Sequence, residues 1–175
     1  MGNSSDVFLI LRAKNLGFSL NSVIFLYVFF NFIYALFSTP LGMVSDKIGQ
    51  RKVLLSGFLL FALIYFYFGI IDKKIFLWIL FPLYGIYMAL TEGVSKAYIS
   101  VLIPEEKRGT AFGVYQTLVG ICTFFSSFIA GLLWRYINVR APFIFGSTTA
   151  IISAVLFILL EKKYGLSCFC QKMAS

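Results

Sequence analysis

The 175-residue sequence contains no histidine, three cysteines and only seven acidic residues. Without histidine it lacks the commonest general base and metal ligand. Cys122 sits alone in an apolar run, and Cys168 and Cys170 form a Cys-x-Cys pair near the C-terminus with no further ligands. That is too little for a metal site, so free thiols are expected, with no metal and no cofactor. Palmitoylation of the tail cysteines beside a membrane is a secondary option. No serine–base constellation or metal-ligand cluster accompanies them, so an enzyme is not expected. The N-terminus has no basic region followed by an apolar core and cleavage site, which argues against a signal peptide. Charge is scarce as well: 13% of residues are charged, where soluble domains carry about a quarter.

Apolar residues fill the gap, at 60% of the chain, with 19% aromatic. No aqueous fold of this length hides so much apolar surface, so the solvent is expected to be lipid. The net charge of +8 raises the question of a nucleic-acid partner. The basic residues, however, stand singly or in pairs at the ends of apolar runs and form no basic face or arm. They read as membrane anchors, with lipid as a partner and nucleic acid excluded.

Five apolar runs are long enough to span: about Leu20–Leu41, Val53–Ile71, Ile75–Ile103, Gly109–Trp134 and Pro142–Leu160, each near the twenty residues a crossing helix needs. The apolar patch Val7–Leu11 is too short and reads as the outer end of a longer helix. Asn3-Ser4-Ser5 matches a glycosylation acceptor, an incidental match so close to a terminus. The polar stretch Gly42–Lys52 joins the first two spans and is expected to be a sharp interfacial turn. There Gly42 and Gly49 free the backbone, Asp46 caps the following helix, and Arg51 and Lys52 anchor in headgroups.

The spans differ in chemistry. On the first, Tyr27, Asn31, Tyr34 and Ser38 recur at steps of four, three and four, one polar stripe that must face other helices or a watery path. The second is nearly featureless and reads as a peripheral, lipid-facing helix. The third carries Pro82, Gly85, Gly93, Glu92 and Lys96. Glu92 lies roughly 24 Å from Phe76 and 18 Å from Pro104 along a helix, near mid-membrane. An ionisable group there costs at least ~2.5 kcal/mol by insertion scales and defaults to a functional hypothesis. The alternative is that Glu92 and Lys96, four apart on one face, simply neutralise each other. On the fourth span Gly109, Gly113, Gly120, Ser127 and Gly131 form a small-residue stripe suited to close helix packing, with Gln116 and Thr117 nearby. Trp134 and Tyr136 fit an interfacial belt beside Arg135 and Arg140.

Basic residues favour one side weakly. Lys47, Arg51, Lys52, Lys107, Arg108, Lys162, Lys163 and Lys172 face Arg12, Lys14, Lys73, Lys74, Arg135 and Arg140. The bias puts the 42–52 stretch and the C-terminus in the cytoplasm.

The spacing of Gly42, Asp46, Lys47, Gly49, Arg51 and Lys52 resembles the loop signature that recurs once per half in major facilitator superfamily transporters, with Gln50 where a basic residue is common. The stretch Pro104–Gly113, with Arg108, resembles a second loop of that superfamily. Two spans separate the loops, and together with the stretch Glu92–Trp134 they make the chain most resemble the C-terminal half of bacterial members, a resemblance that covers roughly residues 2–160. It implies an all-α membrane protein: five transmembrane helices plus a partial N-terminal helix, half of a major-facilitator-type bundle. The five spans would be helices eight to twelve and residues 2–14 the end of helix seven, with the first six helices missing. A transmembrane domain over residues 1–162 and a short tail over 163–175 follow.

The function implied is transport of a small solute by alternating access, with proton coupling an option, in a bacterial plasma membrane. Glu92, Lys96, Asn31, Tyr27, Tyr34 and Asp6 would serve the solute or proton path. Gly42, Asp46, Lys47, Gly49, Arg51, Lys52 and Arg108 would serve the gate, against an N-terminal half or a second copy. An inactive remnant or a non-transporting membrane interaction protein is the alternative.

Overall fold

A computed structural model describes residues 6–164. Asn3, Ser4, Ser5, Cys168, Cys170 and Lys172, and with them the expectations for the acceptor and the tail, lie outside the described residues. Six α-helices follow one another: α1 Val7–Asn15, α2 Leu20–Ile48, α3 Gln50–Ile70, α4 Leu77–Leu102, α5 Arg108–Tyr136 and α6 Ala141–Tyr164. Single tight helical turns at Lys74–Phe76 and Glu105–Lys107 precede α4 and α5. There is no strand among the described residues. Five of the helices, α2 to α6, are long and apolar enough to cross a membrane. Helices satisfy every backbone group internally, which is why hydrocarbon selects them.

The polar stretch between the first two spans is not the loop expected. α2 runs on through Pro40 to Ile48, and only Gly49 stands outside a helix, at φ +101°. Gly42 is helical, so one glycine makes the whole turn, in a backbone region that side chains rarely adopt. Asp46 does not cap α3: it lies inside α2, and no side chain caps the start of α3. Within this last stretch of α2 Ser45 is buried and donates its hydroxyl back to the Gly42 carbonyl at 2.8 Å. A 29-residue helix is about 44 Å long. That exceeds a hydrocarbon layer of about 30 Å and carries Asp46 and Lys47 beyond it as exposed side chains.

α4 packs against α2 on one side and α3 on the other, and α6 packs against α3. The core is aromatic. Tyr65, Phe68, Phe81, Tyr84 and Phe143 are fully buried, with the Phe68 and Phe143 rings stacked 5.8 Å apart. α3 is therefore not simply peripheral. Half of its membrane window is buried within the chain, against 17% for α2 and 11% for α5. Its sequence looked featureless because apolar residues meet protein and lipid with the same chemistry. Leu59, Leu63, Phe66 and Ile70 do form an outward stripe on it.

Within this chain the glycines of the α5 stripe make none of the close contacts expected of them. A methyl added at Gly109, Gly113, Gly120 or Gly131 would meet nothing within 4 Å. Close approach occurs on α4 instead, where a Cβ at Gly85 would stand 2.6 Å from the Phe30 carbonyl oxygen of α2.

A polar cluster ties the helix ends on the side away from Gly49. Arg12, 3% exposed, donates Nε to the Phe68 carbonyl and Nη2 to the Ile71 carbonyl and to Asp72, at 3.0–3.2 Å. It thereby satisfies carbonyls that the end of α3 leaves open. Asp72 also pairs with Arg140 at the start of α6, and Lys74 Nζ donates to the Gly17 carbonyl at 2.8 Å. Trp134 packs between Phe8 and Phe143, so of the expected aromatic belt only Tyr136 stays fully outward.

Gly85→Ala should force α2 and α4 apart and lower unfolding stability in mixed micelles by about 1–3 kcal/mol, the usual range for overpacking. Gly93→Ala, which meets open space, should leave stability unchanged or slightly raised. Equal effects of the two would contradict the packing described.

Candidate functional site

The contact at Gly85 sets the register of α2 on α4. One turn beyond Phe30, Tyr34 donates its hydroxyl to Glu92 Oε2 at 2.8 Å. The other carboxylate oxygen faces Lys96 Nζ at 3.5 Å, one turn further along α4. Both charged side chains are about half exposed, Glu92 at 43% and Lys96 at 51%. Glu92 stands about 15 Å along the helix from its end at Leu102.

The pair forms part of the wall of a cleft of about 370 Å³ between α3, α4, α5 and α6. Leu54, Phe58 and Phe61 of α3 and Met88 of α4 give it apolar walls, and Thr91, Ser95 and Tyr115 a polar lining. Tyr115 of α5 donates to the Ser95 hydroxyl at 3.3 Å, which ties α5 to α4 beside the ion pair. Gln116 also lines the cleft, whereas Thr117 donates back to the Gly113 carbonyl of its own helix. A cleft of this size, largely apolar with a few convergent polar groups, has the form of a small-molecule site. Among the described residues no three His, Cys, Asp or Glu side chains gather into a metal-binding group.

The remaining residues singled out from sequence fall elsewhere. Of the polar stripe on α2, only Tyr34 reaches another helix. Asn31 donates to the Tyr27 carbonyl and Ser38 to the Ala35 carbonyl, each within α2, while the Tyr27 ring meets Phe30 edge-on at 5.2 Å. Asp6, just before α1, accepts from the buried Tyr84 hydroxyl at 2.8 Å. It thus forms a second carboxylate–tyrosine contact, separate from Glu92. Gly42, Asp46, Lys47, Gly49, Arg51 and Lys52 lie together at the α2–α3 junction, away from the cleft. Arg108 joins neither group. It pairs with Glu105 at 3.0 Å and donates to the Ser100 carbonyl at 3.2 Å, clamping the turn between α4 and α5.

Sequence reasoning passed over Thr91, Ser95 and Tyr115. The first two carried a signal, since they flank Glu92 and Lys96 at helical spacing. Tyr115 carried none, because its contact depends on how α5 docks.

The family model described as Major Facilitator Superfamily matches residues 3–166. The uncharacterized MFS-type transporter MJ1317 of Methanocaldococcus jannaschii is 39% identical over an alignment of 166 residues that covers 91% of this chain and 42% of the relative. A second uncharacterized MFS-type transporter of that organism, MJ1560, is 21% identical over 67% of this chain and 30% of its own length. The multi-drug resistance efflux pump PmrA of Streptococcus pneumoniae is 26% identical over 74% of this chain and 32% of its own length. The chain thus spans less than half the length of the curated relatives it matches. No solved structure matches it significantly.

The Tyr34–Glu92 contact is open to a double-mutant cycle. Tyr34→Phe and Glu92→Gln should each lower unfolding stability, and the pair should show a coupling of about 1 kcal/mol, the scale of a hydrogen bond to a charged group in a half-exposed setting. Strict additivity would remove the bond.

Proposed function

Because the chain belongs to the major facilitator superfamily, we propose that it forms the five-span portion of a transporter that moves a small solute by alternating access. One observation carries the assignment of the site: an ionisable pair, Glu92 and Lys96, half exposed near mid-membrane on the wall of a cleft of about 370 Å³. Ionisable groups at that depth are costly and mark solute or ion pathways. In this reading Glu92 takes the solute or a coupling proton, Lys96 is its charge partner, and Tyr34 orients the carboxylate. Tyr27 and Asn31 line the approach, and Asp6 with Tyr84 serves as a second polar station.

The α2–α3 junction is the gate. Gly42 and Gly49 shape it, and Asp46, Lys47, Arg51 and Lys52 present charge there, with Arg108 bracing the neighbouring turn. Its partner is a second helical bundle packed on the faces of α2 and α5 that are bare within this chain, supplied by an N-terminal half or by another copy. Alternating access then proceeds by rocking of one bundle against the other. The weak basic bias supports a cytoplasmic side for the junction and the C-terminus, in a plasma membrane. The likeness to PmrA, a multi-drug resistance efflux pump by name, makes small organic solutes the first class to try.

The test is flux in proteoliposomes. The chain is reconstituted either alone or with the part of the MJ1317 protein that the match leaves uncovered. Wild type should move a fluorescent organic solute and dissipate an imposed pH gradient as it does so. Glu92→Gln should reduce both at least tenfold without loss of folded protein. No flux from wild type in either setting would make the chain a remnant or an interaction protein.

A further inference from the structure

The ion pair on the cleft wall is neutral as a unit, and it is loosely closed. Its 3.5 Å separation is longer than the 2.7–2.9 Å of a charge-assisted hydrogen bond. Glu92 Oε2 is engaged by Tyr34, while Oε1 has only this contact. The Lys96 ammonium has three donors and donates no hydrogen bond among the described residues. Among the described residues no other carboxylate, ammonium or guanidinium lines the cleft. Both charges are thus accessible, and each has the other as its only counter-charge there.

That arrangement discriminates by ligand charge. A cation docking on Glu92 would meet the Lys96 ammonium 3.5 Å from the same carboxylate, and an anion on Lys96 would meet the Glu92 carboxylate in the same way. Like charges brought that close in a partly water-excluded cleft repel. A ligand carrying both charges exchanges one loose contact for two direct ones and leaves the site neutral throughout. The walls at Phe58, Phe61 and Met88 accept an apolar body of about one ring, and a volume of about 370 Å³ is at the small end of ligand sites.

We infer that the cleft binds a zwitterionic solute with one apolar body, its ammonium on Glu92, its anionic group on Lys96 and its body against Phe58 and Phe61. The inference rests on the reading of this cleft as the solute site. The test uses the purified 175-residue chain in lipid nanodiscs and three radiolabelled probes with a common phenyl body: phenylalanine, phenethylamine and 3-phenylpropionate. Phenylalanine should bind at least tenfold more tightly than either singly charged probe. Lys96→Met should turn the preference toward phenethylamine and Glu92→Gln toward 3-phenylpropionate. Glu92→Lys combined with Lys96→Glu should restore the preference for phenylalanine. A singly charged probe binding wild type as tightly as phenylalanine, or an order unmoved by the single variants, would overturn the charge inference while leaving the cleft a binding site. Binding of none of the three would overturn the cleft as a solute site, and the inference with it.

Discussion

The approach of α2 to α4 at Gly85 is the contact on which the arrangement of the site depends. In lipid there is no hydrophobic force drawing helices together, because hydrocarbon tails are as apolar as leucine. What remains is the closeness of packing, and Gly85 allows the backbone of Phe30 to lie where a methyl would not fit. That contact fixes the rotation and register of both helices. Tyr34 and Glu92 meet as a result, on opposite sides of a seam closed two turns away by the absence of a side chain. Gly93, beside Glu92, meets nothing, so the two glycines of α4 have unrelated roles.

Much of the architecture was legible in the sequence, for a simple reason. A crossing helix needs a run of apolar residues, and each of the five runs became a helix within a few residues of its expected bounds, apart from the far end of α2. Glu92 and Lys96 stood out because charge at that depth is rare, and they do share a cleft. The helical state of Gly42–Ile48 was not legible: its glycine and charges look like a turn, whereas in the structure only Gly49, at positive φ, leaves the helix. Neither α3 nor α5 could be placed by composition. A leucine facing lipid and a leucine facing protein are the same signal, so α3 was expected outside, and the glycines of α5 were expected to be covered.

The polar contacts are unevenly distributed between the two faces. On the face that carries Asp72, Arg12 and Arg140 bring α1, the end of α3 and the start of α6 to one carboxylate, and Lys74 secures the segment before α2. On the face that carries Gly49 the contacts of Ser45 and Arg108 reach at most eight residues along the chain. One face is cross-linked between helices, and on the other Asp46, Lys47 and Lys52 are exposed side chains. The cleft lies between them, roofed by α5, which is bound to α4 beside the ion pair through one tyrosine hydroxyl.

The cross-linked face also imposes an order on biogenesis. The groups that receive the Arg12 guanidinium lie 56, 59 and 60 residues downstream, so they do not exist when α1 leaves the ribosome. Until the last turn of α3 has been made, the Arg12 guanidinium lacks the partners that hold it in the folded chain. The seat of α1 is therefore built from groups made later in the chain than α1 itself, and Arg140, 68 residues after Asp72, adds its pair to the same carboxylate.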